Sequence, residues 1–348
     1  VGFKLILLRF AMELMLVDCF FLAAAVAFPI CLFQLHLSML IQGIDIWKDF
    51  EPDPGPWCEK PRMGEVLRER SNAGSDLAFI FVALYMLRCG VRDWLNASSC
   101  KVEVDRSQSK KDDEHTAISV TFPSFFQLHP SVSVLCGILN LAHGFGTMFN
   151  HACRCFAGHR ADVMGMYAVV GFWGVCDLYR YSCLSSQLQA AAAVKSSGRL
   201  SSSSPHTFVV IKVAALLCVL LACVWPASKL KYDTHELTEA TEAGLVAVLI
   251  AADLVLELMI RRVVGFAALP SHLSSFGRGV LLYLGAGAIL FGAVAQKADI
   301  RKVGCVQSSL FQWHAVWHVA AALCLLCVFV HRRSERVKVQ VSVPAAQK

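Results

Sequence analysis

Hydrophobic residues in this chain do not alternate; they run in blocks of about 20 positions, nearly free of charge, separated by polar stretches. About 20 apolar residues are what a helix needs to cross roughly 30 Å of hydrocarbon, where each backbone polar group must be satisfied inside the segment. Such blocks occupy 18–40, 75–91, 126–149, 162–181, 207–225, 242–261, 277–296 and 312–330. The pattern predicts an all-α integral membrane protein, a seven-transmembrane-helix bundle with one additional N-terminal transmembrane helix. Its expected parts are the extra helix within 1–50, the bundle over 51–331 and a cytosolic tail over 332–348. The apolar N-terminal stretch reads as an anchor, too long for a cleaved signal peptide.

Composition agrees with the pattern. Of 348 residues, 56% are hydrophobic and 17% charged, and the mean hydropathy of +0.55 excludes a soluble enzyme of this size. The net charge of +6 implies no nucleic-acid partner, because Lys and Arg sit in loops and at helix ends and form no basic stripe. They do orient the chain. With the first span running from cytosol to lumen, basic residues prevail on the cytosolic side, and Arg332, Arg333, Arg336 and Lys338 fall in the cytosolic tail. The same topology puts the Asn96-Ala97-Ser98 sequon in the cytosol and predicts no glycan there.

Most of the 15 cysteines lie inside apolar blocks, where Cys acts as a small hydrophobe, but Cys58 and Cys305 fall in non-cytosolic loops that permit oxidation. Residues 96–114 and 185–206 read as cytosolic linkers. The segment 45–70, with Pro52, Pro54, Pro56 and Pro61, cannot be regular helix through its proline-rich part.

Ionisable groups at membrane depth are costly, so their positions carry the functional information. Thr147 and His151 are four apart at the end of one span, and Asp162 opens the next. His314 and His318 are also four apart, one turn from each other on one face of the last span. Topology brings these ends to one side of the membrane. Three neutral imidazoles and a water make the tetrahedral, open zinc site of a hydrolase. The alternative is that each imidazole only hydrogen-bonds a neighbouring helix.

Glu69, Asn72 and Ser75 repeat every three residues, forming a polar face that leads through Asp76 into the second span on that same side. They read either as a hard-cation site or as a solvated acidic first turn. Trp313 and Trp317 read as interfacial aromatic belt. His36 and His143 read as structural, and Lys212 and Glu257 as an ion pair between spans.

These motifs resemble the alkaline ceramidase family, within the seven-helix membrane hydrolases that include adiponectin-type receptors and GPI-remodelling lipases. The resemblance rests on Trp57-Cys58-Glu59, on Glu69-x-x-Asn72-x-x-Ser75, on Thr147, His151 and Asp162 at intervals of four and eleven, and on His314-x-x-x-His318 after Phe311-Gln312. It spans roughly 57–330. It implies zinc on His151, His314 and His318, and calcium near Trp57, Glu59 and Glu69. It also implies a disulfide between Cys58 and Cys305, both on the non-cytosolic side.

Departures are Pro56 in place of the family's acid, Pro61 in place of its asparagine, and Thr147 in place of its serine. The implied activity is zinc-dependent hydrolysis of the amide of ceramide to sphingoid base and fatty acid, with Asp162 accepting the proton of water and Thr147 donating to the oxyanion. The implied location is the endoplasmic reticulum or Golgi, with the site lumenal. The rival readings are a membrane lipid esterase of the same superfamily and a lipid-sensing receptor without hydrolysis.

Overall fold

The computed structural model describes residues 2–52, 55–96, 103–107, 115–197, 255, 257–258, 275–335 and 337–344. The apolar blocks within these ranges are helical: α1 (Gly2–Gln42), α2 (Arg70–Ser75), α3 (Leu77–Leu95), α4 (Phe125–Leu128), α5 (Pro130–Cys153), α6 (Phe156–Ser197), α7 (Ser275–Ile300) and α8 (Trp313–Arg333). Six stretches are long and apolar enough to cross a membrane: Leu16–Gln42, Arg70–Leu95, Pro130–Cys153, Phe156–Tyr181, Val280–Ile300 and Trp313–Arg333. The blocks 207–225 and 242–261 lie outside the described residues, apart from Val255, Glu257 and Leu258.

Lipid tails are as apolar as leucine, so membrane helices associate through close packing of small residues and through polar contacts. α5 is the centre of this packing. On one side, a Cβ added at Gly137 would lie 2.8 Å from the backbone nitrogen of Leu87, and one at Gly90 would lie 2.8 Å from that of Val134, so α3 and α5 approach almost backbone to backbone. On the other side, Gly146 meets the carbonyl of Ala161 and Gly158 meets the Cα of Asn150, which presses α6 against α5. Phe79, Met86, Phe126, Cys136, Phe172 and Phe329 fill the space between the helices. Apolar residues that stay exposed, such as Phe20, Val26 and Phe33 on α1 and Tyr283, Leu290 and Val294 on α7, are the surface that lipid would cover.

The N-terminal helix α1 is tied to the other helices. Arg88 Nε donates to Asp18 Oδ1 at 2.7 Å, and Phe28 packs edge-on against Phe145. Beyond α1, Trp47 Nε1 donates to the carbonyl of Val66 at 2.8 Å. Arg68 Nη2 reaches both oxygens of Asp45 at 3.2 Å, so the ends of the proline-containing segment are held together without a helix between them.

One part of the fold departs from the all-α expectation. β1 (Glu103–Ser107), β2 (His115–Phe122) and β3 (Val337–Pro344) form an antiparallel sheet in the order β1-β2-β3. β1 lies in what reads as a linker and β3 in what reads as a tail. Val337, Val339 and Val341 pair with Phe122, Val120 and Ile118, so period-two apolar positions match across the register. Blocks of five to eight residues are invisible to a search for 20-residue spans.

At the same end as the sheet, a buried ionic network joins α6, α8 and Glu257. Arg180 Nη1 donates to Glu257 Oε2 at 2.7 Å and to Asp177 Oδ1 at 3.0 Å, and Arg180 also pairs with Glu335. Arg332 Nη2 donates to Asp177 Oδ2 at 2.7 Å and stacks over Trp173. Glu257 is thus engaged by Arg180; Lys212, its expected partner, lies outside the described residues.

Candidate metal centre

At the other end of the bundle, the last turn of α5 and the first two turns of α8 face each other, bringing His151, His314 and His318 together. Each ring offers a nitrogen, and the three nitrogens lie within 4.8 Å of one another, all buried. The Nε2 atoms of His151 and His314 are 3.2 Å apart.

The far nitrogens explain why the near ones converge. His151 Nδ1 donates to Glu69 Oε2 at 2.6 Å, and His318 Nδ1 lies 2.8 Å from Asp76 Oδ1 and 2.9 Å from Ser75 Oγ. A carboxylate on Nδ1 fixes that nitrogen as the protonated one and leaves the Nε2 lone pair facing inward. His314 is set differently. Its ring stacks on Trp57 with centroids 3.7 Å apart, and its backbone N–H donates to Asp299 Oδ1 at 3.3 Å. Asp299 Oδ2 also accepts from the N–H of Cys58 at 2.9 Å, so one carboxylate pins the start of α8 to the Trp57 segment.

The donors fit zinc. A tetrahedron with zinc–nitrogen bonds of about 2.05 Å has ligand–ligand edges of about 3.3 Å, and the 3.2 Å separation of His151 and His314 Nε2 matches such an edge. Two inward lone pairs so close repel unless a proton or cation lies between them. Three histidine donors would leave the fourth position of a tetrahedral ion open.

Thr147, one turn before His151 and 1% exposed, donates through Oγ1 to Asp76 Oδ1 at 3.3 Å. Asp162 lies on the first turns of α6, where its Oδ2 accepts from Asn150 Nδ2 at 2.9 Å; the carboxylates that touch the imidazoles are Glu69 and Asp76. Cys58 and Cys305 are joined by a disulfide with Cα atoms 5.8 Å apart, which ties the Trp57 segment to the loop before α8. A second disulfide, Cys153–Cys155, closes the turn between α5 and α6.

The residues around Trp57 do not fit calcium, which needs six to eight oxygen ligands. The two oxygens of Glu59 accept the backbone N–H groups of Ser71 and Asn72, both at 2.9 Å, and so cap α2. Burial pushes the Glu59 carboxyl above its ordinary range, although those two N–H donors pull the other way. Glu69 is also occupied: Oε2 accepts from His151 and from Asn72 Nδ2, while Oε1 is ion-paired with Arg154 Nε at 2.9 Å. A guanidinium already sits where a divalent cation would have to approach.

Sequence reasoning passed over Asp299 and Arg154, and placed Asp76 only in the candidate hard-cation face without linking it to the histidines. Asp299 had a legible signal, an acid at the end of a span on the histidine side. Arg154 had none, since a basic residue in a turn is ordinary. Comparison of the chain with protein-family models and with curated proteins finds no match.

Proposed function

We propose that this protein is a zinc-dependent membrane hydrolase that cleaves the amide bond of ceramide, releasing sphingoid base and fatty acid. The observation that carries the reading is the set of three buried imidazoles at the end of membrane-spanning helices, two of them with Nε2 atoms 3.2 Å apart and two backed by carboxylates. His151, His314 and His318 would hold the zinc ion, which would supply polarisation of the carbonyl and a water of pKa lowered toward about 7.

The chain supplies the rest. Asp162, on the turn of α6 facing the end of α5, accepts the proton of the attacking water and hands it to the departing amine, while Asn150 orients its carboxylate. Thr147 presents its hydroxyl beside Asp76, from which it turns to the oxygen that gains charge during attack.

A lipid substrate suits the surroundings. Ser71, Ser75, Phe291, Leu310, Val316 and Leu323 line a mostly apolar cavity of about 630 Å³ between α7 and α8. Ser75, at its polar edge, touches His318. An acyl chain can lie in that cavity while the amide reaches the histidines. The Cys58–Cys305 bridge at the same end supports an oxidising compartment, hence a lumenal site in the endoplasmic reticulum or Golgi. Asn96, at the opposite end of α3, then faces the cytosol, and an endoglycosidase shift at this sequon would reverse the orientation.

The deciding experiment is turnover by purified protein with long-chain ceramides set beside ester lipids of the same chain length, before and after zinc is stripped and restored. Ceramide hydrolysis that follows zinc supports the reading. Cleavage of esters alone favours a lipid esterase, and stoichiometric zinc without turnover of either favours a receptor.

A further inference from the structure

The turn after His151 carries a feature that metal binding by itself does not require. Arg154 ends α5 in a left-handed conformation, φ 48° and ψ 56°, with its N–H donating to the carbonyl of Asn150. Glycine is the residue usually found there, because a Cβ is disfavoured at positive φ. Instead the position holds an arginine that is 2% exposed, with buried cysteines on either side bonded to each other. Its side chain folds back to ion-pair with Glu69 Oε1 at 2.9 Å. The other oxygen of Glu69 holds His151 Nδ1.

The backbone makes room for this side chain. Gly55, at φ 37°, is so close that an added Cβ would fall 1.9 Å from Arg154 Nη2. A side chain at 55 would push the guanidinium away. Backbone bonds reinforce the link, since the N–H groups of Arg68 and Glu69 donate to the carbonyls of Ala152 and His151.

We infer that Arg154 is a positioning residue for the metal centre: a built-in cation that holds the Glu69 carboxylate, and through it the His151 ring, in the orientation that presents Nε2 to zinc. The inference rests on reading the three histidines as a zinc site. In water a guanidinium beside a carboxylate is worth little, but here both partners are almost fully buried and removing one leaves the other uncompensated. Glu69 without its cation has reason to turn, and His151 turns with it.

The test measures zinc affinity, by competition with a chromogenic chelator, on purified full-length protein and on Arg154→Gln, Arg154→Lys, Gly55→Ala, Glu69→Gln and the Arg154→Gln/Glu69→Gln pair. Loss of an outer partner of a zinc ligand typically weakens binding by about 10 to 100-fold, and Arg154→Gln is expected in that range. Arg154→Lys should recover part of the loss, and Gly55→Ala should weaken binding while leaving the charge in place. In the Glu69→Gln background, Arg154→Gln should add less than about threefold, because both act through one path.

Formation of the Cys58–Cys305 bridge in each variant reports folding at this end of the bundle. Affinity of Arg154→Gln within about threefold of the parent overturns the inference. An equal loss in both backgrounds also overturns it, since that is a general structural effect. Parent protein that takes up no zinc overturns the metal reading itself and is distinguishable at the first measurement.

Discussion

Both ends of the bundle gather three potential metal ligands within 4.8 Å, His151, His314 and His318 at one end and Glu257, His331 and Glu335 at the other. Burial does not separate them, since all six are buried. The difference lies in what stands among them. At the second cluster, Arg180 reaches both Glu257 and Glu335, Arg332 balances Asp177, and His331 Nε2 is no nearer than 3.6 Å to Glu257 Oε1. Cations already fill the space where an ion would go. At the first cluster the positive charge of Arg154 is held behind Glu69, the carboxylates stand behind the imidazoles, and the inward nitrogens face one another. On the proposed reading, the first cluster is the one open to a metal because its neutralising cation lies outside the ring of donors.

The sharpest way to break this comparison is to remove ligands from each end. His151→Ala, His314→Ala and His318→Ala should each abolish stoichiometric zinc in the purified protein, because a three-ligand site cannot spare one. His331→Ala should leave zinc content at one equivalent. Zinc retained in all three site variants, measured by atomic absorption, would sink the assignment.

Asp162→Asn separates binding from chemistry at the first end. Asparagine keeps the shape and the contact with Asn150 but cannot accept a proton, so zinc content should stay while turnover falls by about 10² to 10⁴. Full turnover in this variant would move the proton acceptor elsewhere, with Asp76, beside His318 and Thr147, next in line.

At the opposite end, Arg180→Met should leave zinc unchanged and lower stability by about 3–5 kcal/mol, because it strands Glu257 and Glu335 in a buried setting and leaves Asp177 to Arg332 alone. Thermal melting in detergent, read beside zinc content, checks both halves. A fall in zinc would show that the two ends are coupled.

The smallest effect concerns Glu59. Its folded-state pKa is raised by burial, so its contribution to stability is fully present below the ordinary glutamate value and is lost as pH rises through the raised one. Glu59→Gln removes that dependence. The melting temperature of the parent relative to Glu59→Gln should decline as pH rises from about 4 toward neutrality, and a difference that grew instead would contradict the account of Glu59 as a desolvated cap of α2.

The sequence alone determined that the chain has helices fit to span a membrane and singled out three histidines that come together in space. Twenty-residue apolar blocks are satisfied at membrane depth as helices, and six helices long and apolar enough to span are present among the described residues. His151, His314 and His318 stood out because an ionisable group at membrane depth needs a reason, and a spacing of four sets two of them on one face. Those signals are local. What the tertiary structure decided is what stands behind each ring. Glu69 reaches His151 across 82 residues and Thr147 reaches Asp76 across 71, separations that no helical period encodes.

The glycines that bring α3, α5 and α6 almost into backbone contact set those meetings, and in the sequence they look like any other small residues of a span. The sheet was hidden for a similar reason, since β2 and β3 become an apolar pair only once residues more than 200 apart come into register. Arg154 shows the limit most plainly. Its charge was visible from the start, but its burial, its left-handed backbone and its hold on Glu69 exist only because Gly55, the Cys153–Cys155 turn and the end of α5 meet in space.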